Sequence, residues 1–245
     1  MFSNTSSPFA GLPPVVKNLL MINIICFIGT LIFDQAARMF GVYYPDSPFF
    51  RIWQIITYMF MHGGFAHLFF NMFALFMFGP VLEQVFGSKR FINFYLITGL
   101  GALVLQFGVQ ALEVYSITGT VSAGHWLRFD MLEGMVYGNH PGITNEEFSK
   151  LVSVYNTPMV GASGAIYGLL IAFGYLFPNT SLYLMFIPVP VKAKYFIPIL
   201  IALELFLGVS RVAGTSIAHF AHIGGALFGF ILIKIWNIRR PEYWS

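Results

Sequence analysis

The sequence predicts an all-α membrane protein: six transmembrane helices in one compact bundle, with both termini cytoplasmic. Three observations predict it. First, the chain has 245 residues, 57% of them hydrophobic and only 9% charged, with mean hydropathy +0.74. A soluble domain carries about 25% charged residues, so water alone cannot solvate this surface. Second, six stretches are uncharged or nearly so: roughly 17–36, 65–86, 91–112, 159–177, 195–212 and 216–236. Each is long enough to cross about 30 Å of hydrocarbon. They must be helices, because a lone strand leaves its backbone unsatisfied in lipid. Third, the basic residues fall unevenly between the spans. With the N-terminus inside, eight Lys and Arg lie on inner segments and five on outer ones. The short inner turns Gly87-Ser88-Lys89-Arg90 and Val191-Lys192-Ala193-Lys194 make the bias clearer.

Taken in order, Leu19 to Phe33 is apolar but lacks a clean small-residue cleavage site, so it reads as the first span rather than a signal peptide. Residues 37–64 are aromatic and broken by Gly and Pro (Tyr43, Tyr44, Pro45, Pro48, Trp53), which suits a segment lying in the interface. The second and third spans follow. Residues 113–158 form a long and polar outer loop. Within it, Thr144-Asn145-Glu146-Glu147 fits a capping box. Phe148, Leu151, Val152 and Tyr155 then follow at i, i+3, i+4, i+7, which predicts a short amphipathic helix. The outer charges Arg211, Asp130 and Glu133 complete this side, and the last three spans close the chain. No repeat or linker divides it, so residues 1–245 read as a single membrane domain. The net charge of +3, placed in short loops, points to membrane orientation rather than nucleic acid. The single Cys26 excludes an internal disulfide.

Polar residues inside the spans carry the function. Helices two, four and six all run inward from the outer side. His67 follows the Gly63-Gly64 entry, Ser163 is five residues past Pro158, and His222 is seven past Thr215. All three therefore lie about 6–10 Å below the outer boundary. Gly164 and Gly168 make a G-x-x-x-G on the fourth span, and Gly225 and Gly229 another on the sixth. Small residues at that spacing let backbones approach closely. If those helices pair, the Ser163 hydroxyl reaches the His222 imidazole, and nucleophilic attack on a carbonyl becomes possible. His67 and Asn71 share a helix face at i, i+4. With the Ser163 backbone N–H they offer donors to an oxyanion. No Asp or Glu occupies the outer halves of these three helices, so a Ser–His dyad is the simplest reading.

Plainer readings stand beside this one. A serine between glycines is commonly a packing residue. Tyr167 is most simply an aromatic packer, and His62 a supporting polar residue. His67, His219 and His222 could bind zinc. No H-E-x-x-H pattern or cysteine set accompanies them, and no metal is expected. Glu204 and Gln106 are intramembrane polar groups without assigned partners. Glu204 marks a proton or ion path, or is protonated or bonded to a neighbour.

Together the motifs resemble the rhomboid family of intramembrane serine proteases, from about Arg51 to the end of the sixth span. His67-Leu68-Phe69-Phe70-Asn71 is similar to its H-x-x-x-N. Gly161-Ala162-Ser163-Gly164 is similar to its G-x-S-G. Ala221-His222 with Gly225 and Gly229 is similar to its A-H-x-x-G-x-x-x-G. The resemblance implies Ser163 as nucleophile, His222 as base, and His67, Asn71 and the Ser163 backbone around the oxyanion. It implies Tyr167 packed on the imidazole, with Gly161 and Gly164 shaping the site. Gly79 and Glu83 resemble a structural G-x-x-x-E. Trp53-Gln54 departs from a Trp-Arg pair common in the first outer loop, and the 113–158 loop is long for a minimal six-helix member. The family implies single-pass transmembrane substrates, cut at or near the outer boundary in the bilayer. It implies a multi-pass protein of a prokaryotic cell membrane, with its site opening to the extracytoplasmic side. The chemistry requires no cofactor. The competing readings are a catalytically silent rhomboid-like adaptor that binds membrane clients, or a transporter using the intramembrane polar groups.

Overall fold

The computed structural model describes residues 11–129, 136–138, 142–184, 187–210 and 217–240. Asp130, Glu133, Arg211 and Thr215, which entered the charge and depth arguments, lie outside the described residues. The same holds for the last two residues of the expected fifth span and the first of the sixth.

The protein is predominantly helical. Among the described residues, three helices are long and apolar enough to cross a membrane: α1 (Pro14–Ile32), α4 (Phe65–Phe86) and α5 (Ser88–Thr118). Three more apolar helices, α7 (Ser163–Leu176), α8 (Ala193–Ser210) and α9 (Ile217–Ile235), complete the bundle. Short helices α2 (Ala36–Phe40) and α3 (Gln54–Thr57) lie between α1 and α4. Helix α6 (Asn145–Asn156) lies between α5 and α7.

Local chemistry sets the ends. Pro14 opens α1, where its missing N–H is no loss. The next free donors, Val15 N–H and Val16 N–H, bond the buried Glu83 carboxylate at 3.1 and 2.8 Å. Val16 also fills the space beside Gly79, where a Cβ would come within 2.7 Å of its methyl. Thus the G-x-x-x-E of α4 seats and caps α1. A single residue, Gly87 at φ +74°, turns α4 into α5. Helix α5 runs six residues beyond the expected span because nothing before Gly119, a left-handed cap at φ +72°, stops it. Its extension carries Val114 into a second apolar cluster with Tyr44, Leu151, Val154 and Tyr155. Helix α6 supplies three of these. Its capping box forms, with Glu147 N–H donating to Thr144 Oγ1 and Thr144 N–H to Glu147 Oε2. The described residues of the 113–158 stretch therefore pack against the bundle, and the short amphipathic helix predicted there is present as α6.

The all-α expectation needs one correction. Among the described residues two small antiparallel strand pairs are present: β1 (Arg128–Phe129) with β2 (Val136–Tyr137), and β3 (Ser181–Leu184) with β4 (Ile187–Lys192). In β4, Pro188 and Pro190 cannot donate to a helix, whereas a two-stranded ribbon is all edge and tolerates them. The β-branched Ile187, Val189 and Val191 that alternate with them favour extended chain.

The main core joins α1, α4, α5, α7 and α9 through Leu19, Leu75, Phe91, Leu169 and Ile233. Helix α9 is wedged between α5 and α7. A Cβ on Gly224 would lie 3.0 Å from Ala102 Cα, and Gly101 leaves room for Phe228. The segment between α1 and α4 is held by Gln54. Its Oε1 accepts Arg51 N–H at 2.8 Å, and its Nε2 donates to Phe49 O at 3.1 Å and Met39 O at 3.3 Å. Gln54 makes these bonds at the position after Trp53, where the family pattern has arginine.

Candidate active site

Ser163 is the first residue of α7, so its own N–H has no acceptor within the helix. The approach to it is fixed by the segment between α1 and α4. Val42 and Met159 exchange backbone hydrogen bonds at 2.9 and 2.8 Å, and Gly161 N–H donates to Tyr58 O at 2.9 Å. Tyr58 is tied down in turn, its hydroxyl donating to Gly99 O at 2.7 Å. Gly161 has φ +133°, a conformation that L side chains rarely adopt. A Cβ there would also stand 2.8 Å from His67 Nε2.

His222 comes from α9. Its depth follows from the seam of glycines below it. A Cβ on Gly225 would collide with the Gly164 carbonyl, and one on Gly229 would lie 2.9 Å from Gly168 Cα. The two backbones are therefore in direct contact. Beside that seam, His222 Nε2 stands 2.9 Å from Ser163 Oγ. The ring stacks on Tyr167, one turn below Ser163, with centroids 4.3 Å apart and planes 5° from parallel.

His67 and Asn71 face this pair from α4. Gly63 N–H makes a long 3.5 Å contact to His67 Nδ1, which leaves Nε2 as the protonated nitrogen on the Ser163 side. Asn71 is 5% exposed, and its Nδ2 is buried without a hydrogen-bond partner among the described residues. His62 packs edge-on to His67 with centroids 5.1 Å apart. Burial and then the neighbouring His67 hold its imidazole down to about 4. His67, Asn71, Ser163 and His222 all line one cavity of about 480 Å³. Its remaining walls are largely apolar: Phe70, Phe73, Met77 and Phe78 of α4, Ile166 and Leu170 of α7, and Phe196 and Leu200 of α8.

Behind the imidazole lies Glu204 of α8. Its Oε1 accepts the Tyr167 hydroxyl at 2.5 Å. Its Oε2 lies 2.5 Å from His219 Nδ1 and 3.1 Å from His222 Nδ1. The second contact is close but misaligned, so His222 Nδ1 has no formal hydrogen bond. Ligand atoms of Glu204, His219 and His222 fall within 4.8 Å of one another, a spacing a cation could use.

The sequence marks Glu204 as an intramembrane group that could bond a neighbour, but does not place it beside His222, because the polar residues that share a face lie on the second, fourth and sixth spans. A signal was present. Counted from the ends of their spans, Glu204 lies eight residues before 212 and His222 six after 216. The two therefore share one depth. Gln106 is also buried, with its Oε1 unpaired among the described residues, and does not reach this site.

The sequence profile of the Rhomboid domain matches residues 50–125 and 128–237. An uncharacterized mitochondrial rhomboid protein of Schizosaccharomyces pombe is 26% identical over 90% of this chain and 65% of its own length. The rhomboid protease AarA of Providencia stuartii is 28% identical over 78% of this chain and 57% of its own. The mitochondrial rhomboid protein 1 of Saccharomyces cerevisiae is 25% identical over 72% of this chain and 40% of its own. This chain thus spans about two fifths to two thirds of the length of these relatives. With the profile covering most of the chain, and with apolar helices framing the site, the protein belongs to the rhomboid family of helical membrane proteins.

Proposed function

We propose that this protein is a serine-type intramembrane endopeptidase that cleaves transmembrane proteins by a Ser163–His222 pair. The observation that carries the reading is the 2.9 Å approach of Ser163 Oγ to His222 Nε2 at the end of a mainly apolar cavity. The Ser163 hydroxyl gives its proton to His222 Nε2 as Oγ attacks the scissile carbonyl. The tetrahedral oxyanion is met by the Ser163 N–H, the His67 Nε2–H and the unpaired Asn71 amide. Collapse breaks the C–N bond, and the leaving amine takes the proton from His222. Water then attacks the acyl-serine by the same route, restoring both side chains.

A helical substrate has its carbonyls already bonded, so it must unwind locally before attack. Small or helix-breaking residues at the cut favour this. The cavity walls on α4 and α8 suit an apolar chain entering from the lipid. In this reading six helices span the membrane, both termini lie on the Lys89/Arg90 side, and the site opens to the other. The membrane is a prokaryotic cell membrane. Two of the three relatives are named as mitochondrial, which supports a mitochondrial membrane as the second reading.

Purified protein in liposomes, given a fluorophosphonate probe and a generic single-pass substrate beside Ser163→Ala and His222→Ala, tests the proposal. Labelling and cleavage are expected in the wild type and in neither variant. A folded wild type that does neither, alongside an active rhomboid protease, leaves the adaptor or transporter reading.

A further inference from the structure

We propose that Glu204 is a positioning residue for His222, so that the site works as a Ser–His–Glu relay drawn from α7, α9 and α8. The inference rests on the protease reading above and adds a carboxylate to it.

Proton bookkeeping leads there. For the Ser163 hydroxyl to donate to His222 Nε2, that nitrogen must be the unprotonated one. The ring proton then sits on Nδ1. Among the described residues, His222 Nδ1 is buried without a hydrogen-bond partner, and an unpaired buried N–H is unfavourable. The Oε2 of Glu204 is 3.1 Å away. A small rotation of either side chain turns that contact into a hydrogen bond. Catalytic hydrogen bonds are often loose before substrate binds and tighten in the complex.

The surroundings of Glu204 fit this role. The Tyr167 hydroxyl donates to Oε1 and His219 Nδ1 lies on Oε2, both at 2.5 Å. With His222, three donors converge on one group, as suits a carboxylate, which only accepts. The side chain is 13% exposed, so little water competes. Tyr167 links the parts, with its ring stacked on His222 and its hydroxyl holding Glu204. A carboxylate so placed selects the ring tautomer that can accept the serine proton, and it stabilises the imidazolium that forms. Helix α8 also gives Phe196 and Leu200 to the cavity wall, so the carboxylate rides on a wall that the substrate touches.

The test uses the full chain in liposomes with a single-pass substrate, and active sites counted by fluorophosphonate labelling. Glu204→Gln keeps size and the Tyr167 contact but loses the charge. Its kcat per labelled site is expected to fall about 10²- to 10⁴-fold, the loss seen when a triad carboxylate is neutralised, with KM nearly unchanged. Glu204→Asp keeps the charge and is expected to recover at least about tenfold of the loss. It also carries the test should the Gln variant fail to fold. A kcat per site within about threefold of wild type in Glu204→Gln overturns the proposal. So does a wild type silenced by a chelator and restored by zinc, since the three side chains would then be ligands. An inactive wild type would instead remove the protease reading itself.

Discussion

Gly225 of α9 rests on the backbone of Gly164 in α7, with no room between them for a methyl group. One residue before Gly164 is Ser163, and three before Gly225 is His222. The contact between the two glycines therefore sets the distance between hydroxyl and imidazole. Gly225→Ala must push α9 away from α7. Overpacking of this kind costs about 1–3 kcal/mol. A lowered thermal midpoint and a fluorophosphonate labelling rate reduced at least tenfold are expected. A variant with wild-type midpoint and labelling rate would show that the seam does not govern the site.

Asn71 offers the clearest test of the oxyanion arrangement. Its Nδ2 is buried without a partner among the described residues, a state that is unfavourable unless the reaction uses it. Asn71→Ala is expected to lower kcat about 10²- to 10³-fold, the effect of deleting one oxyanion donor, with KM little changed. Steady-state kinetics on a transmembrane substrate measure both. A raised KM with unchanged kcat would assign Asn71 to ground-state binding instead.

The two glycine motifs, the H-x-x-x-N and the buried hydroxyl were legible because each is a local pattern on a helix. Periods of three and four residues fix which side chains share a face before any tertiary structure is known. The Glu204 contacts were not legible in this way. They depend on how α8 meets α9, which no spacing within either helix encodes, although equal depth made the pairing conceivable. The packing around α6 was illegible for a related reason. Composition showed residues 113–158 to be polar, and the capping box located α6. The clamp at Asp46 joins positions more than 70 residues apart, and nothing nearby in sequence announces it. The β3–β4 pairing was illegible because Ile187-Pro188-Val189-Pro190-Val191 is apolar throughout and carries no period-two polar signal.

Glu83 is expected to matter for assembly and not for chemistry. Its carboxylate accepts Val15 N–H, Val16 N–H and the Ser88 hydroxyl, joining the start of α1 to the end of α4. Glu83→Ala leaves the α1 donors without their acceptor, and a loss of about 2–3 kcal/mol is expected. Glu83→Gln keeps one carbonyl acceptor and is expected to lose less. Thermal unfolding in detergent, read beside kcat per labelled site, separates the effects. A large fall in kcat per site with an unchanged midpoint would contradict the structural role.

Asp46 gives the packing around α6 a predictable response to acid. Partial burial raises its carboxyl, but donors outweigh this and hold it below the usual aspartate range: the Ser122 and Tyr155 hydroxyls, then the Gly124 and Ala123 backbone. Ser122 Oγ and Tyr155 Oη donate at 2.7 Å, and Gly124 N–H at 2.9 Å. Native Asp46 thus binds its proton less readily than an unfolded aspartate does. Just below about pH 4 the unfolded chain takes up the proton first, and stability there rises with pH. The stabilisation from Asp46 is complete above that value and disappears as pH falls through the lower native one. Asp46→Asn removes the titration. The gap in thermal midpoint between wild type and Asp46→Asn is therefore expected to be constant from pH 7 to about 5 and to close below about 4. Limited proteolysis between Thr118 and Asn145 is expected to follow the same curve, since Ser122 and Gly124 lose their anchor together. A gap that widens as the solution is acidified would mean that Asp46 is not held as the carboxylate, and the clamp would have to be assigned to Tyr155 alone.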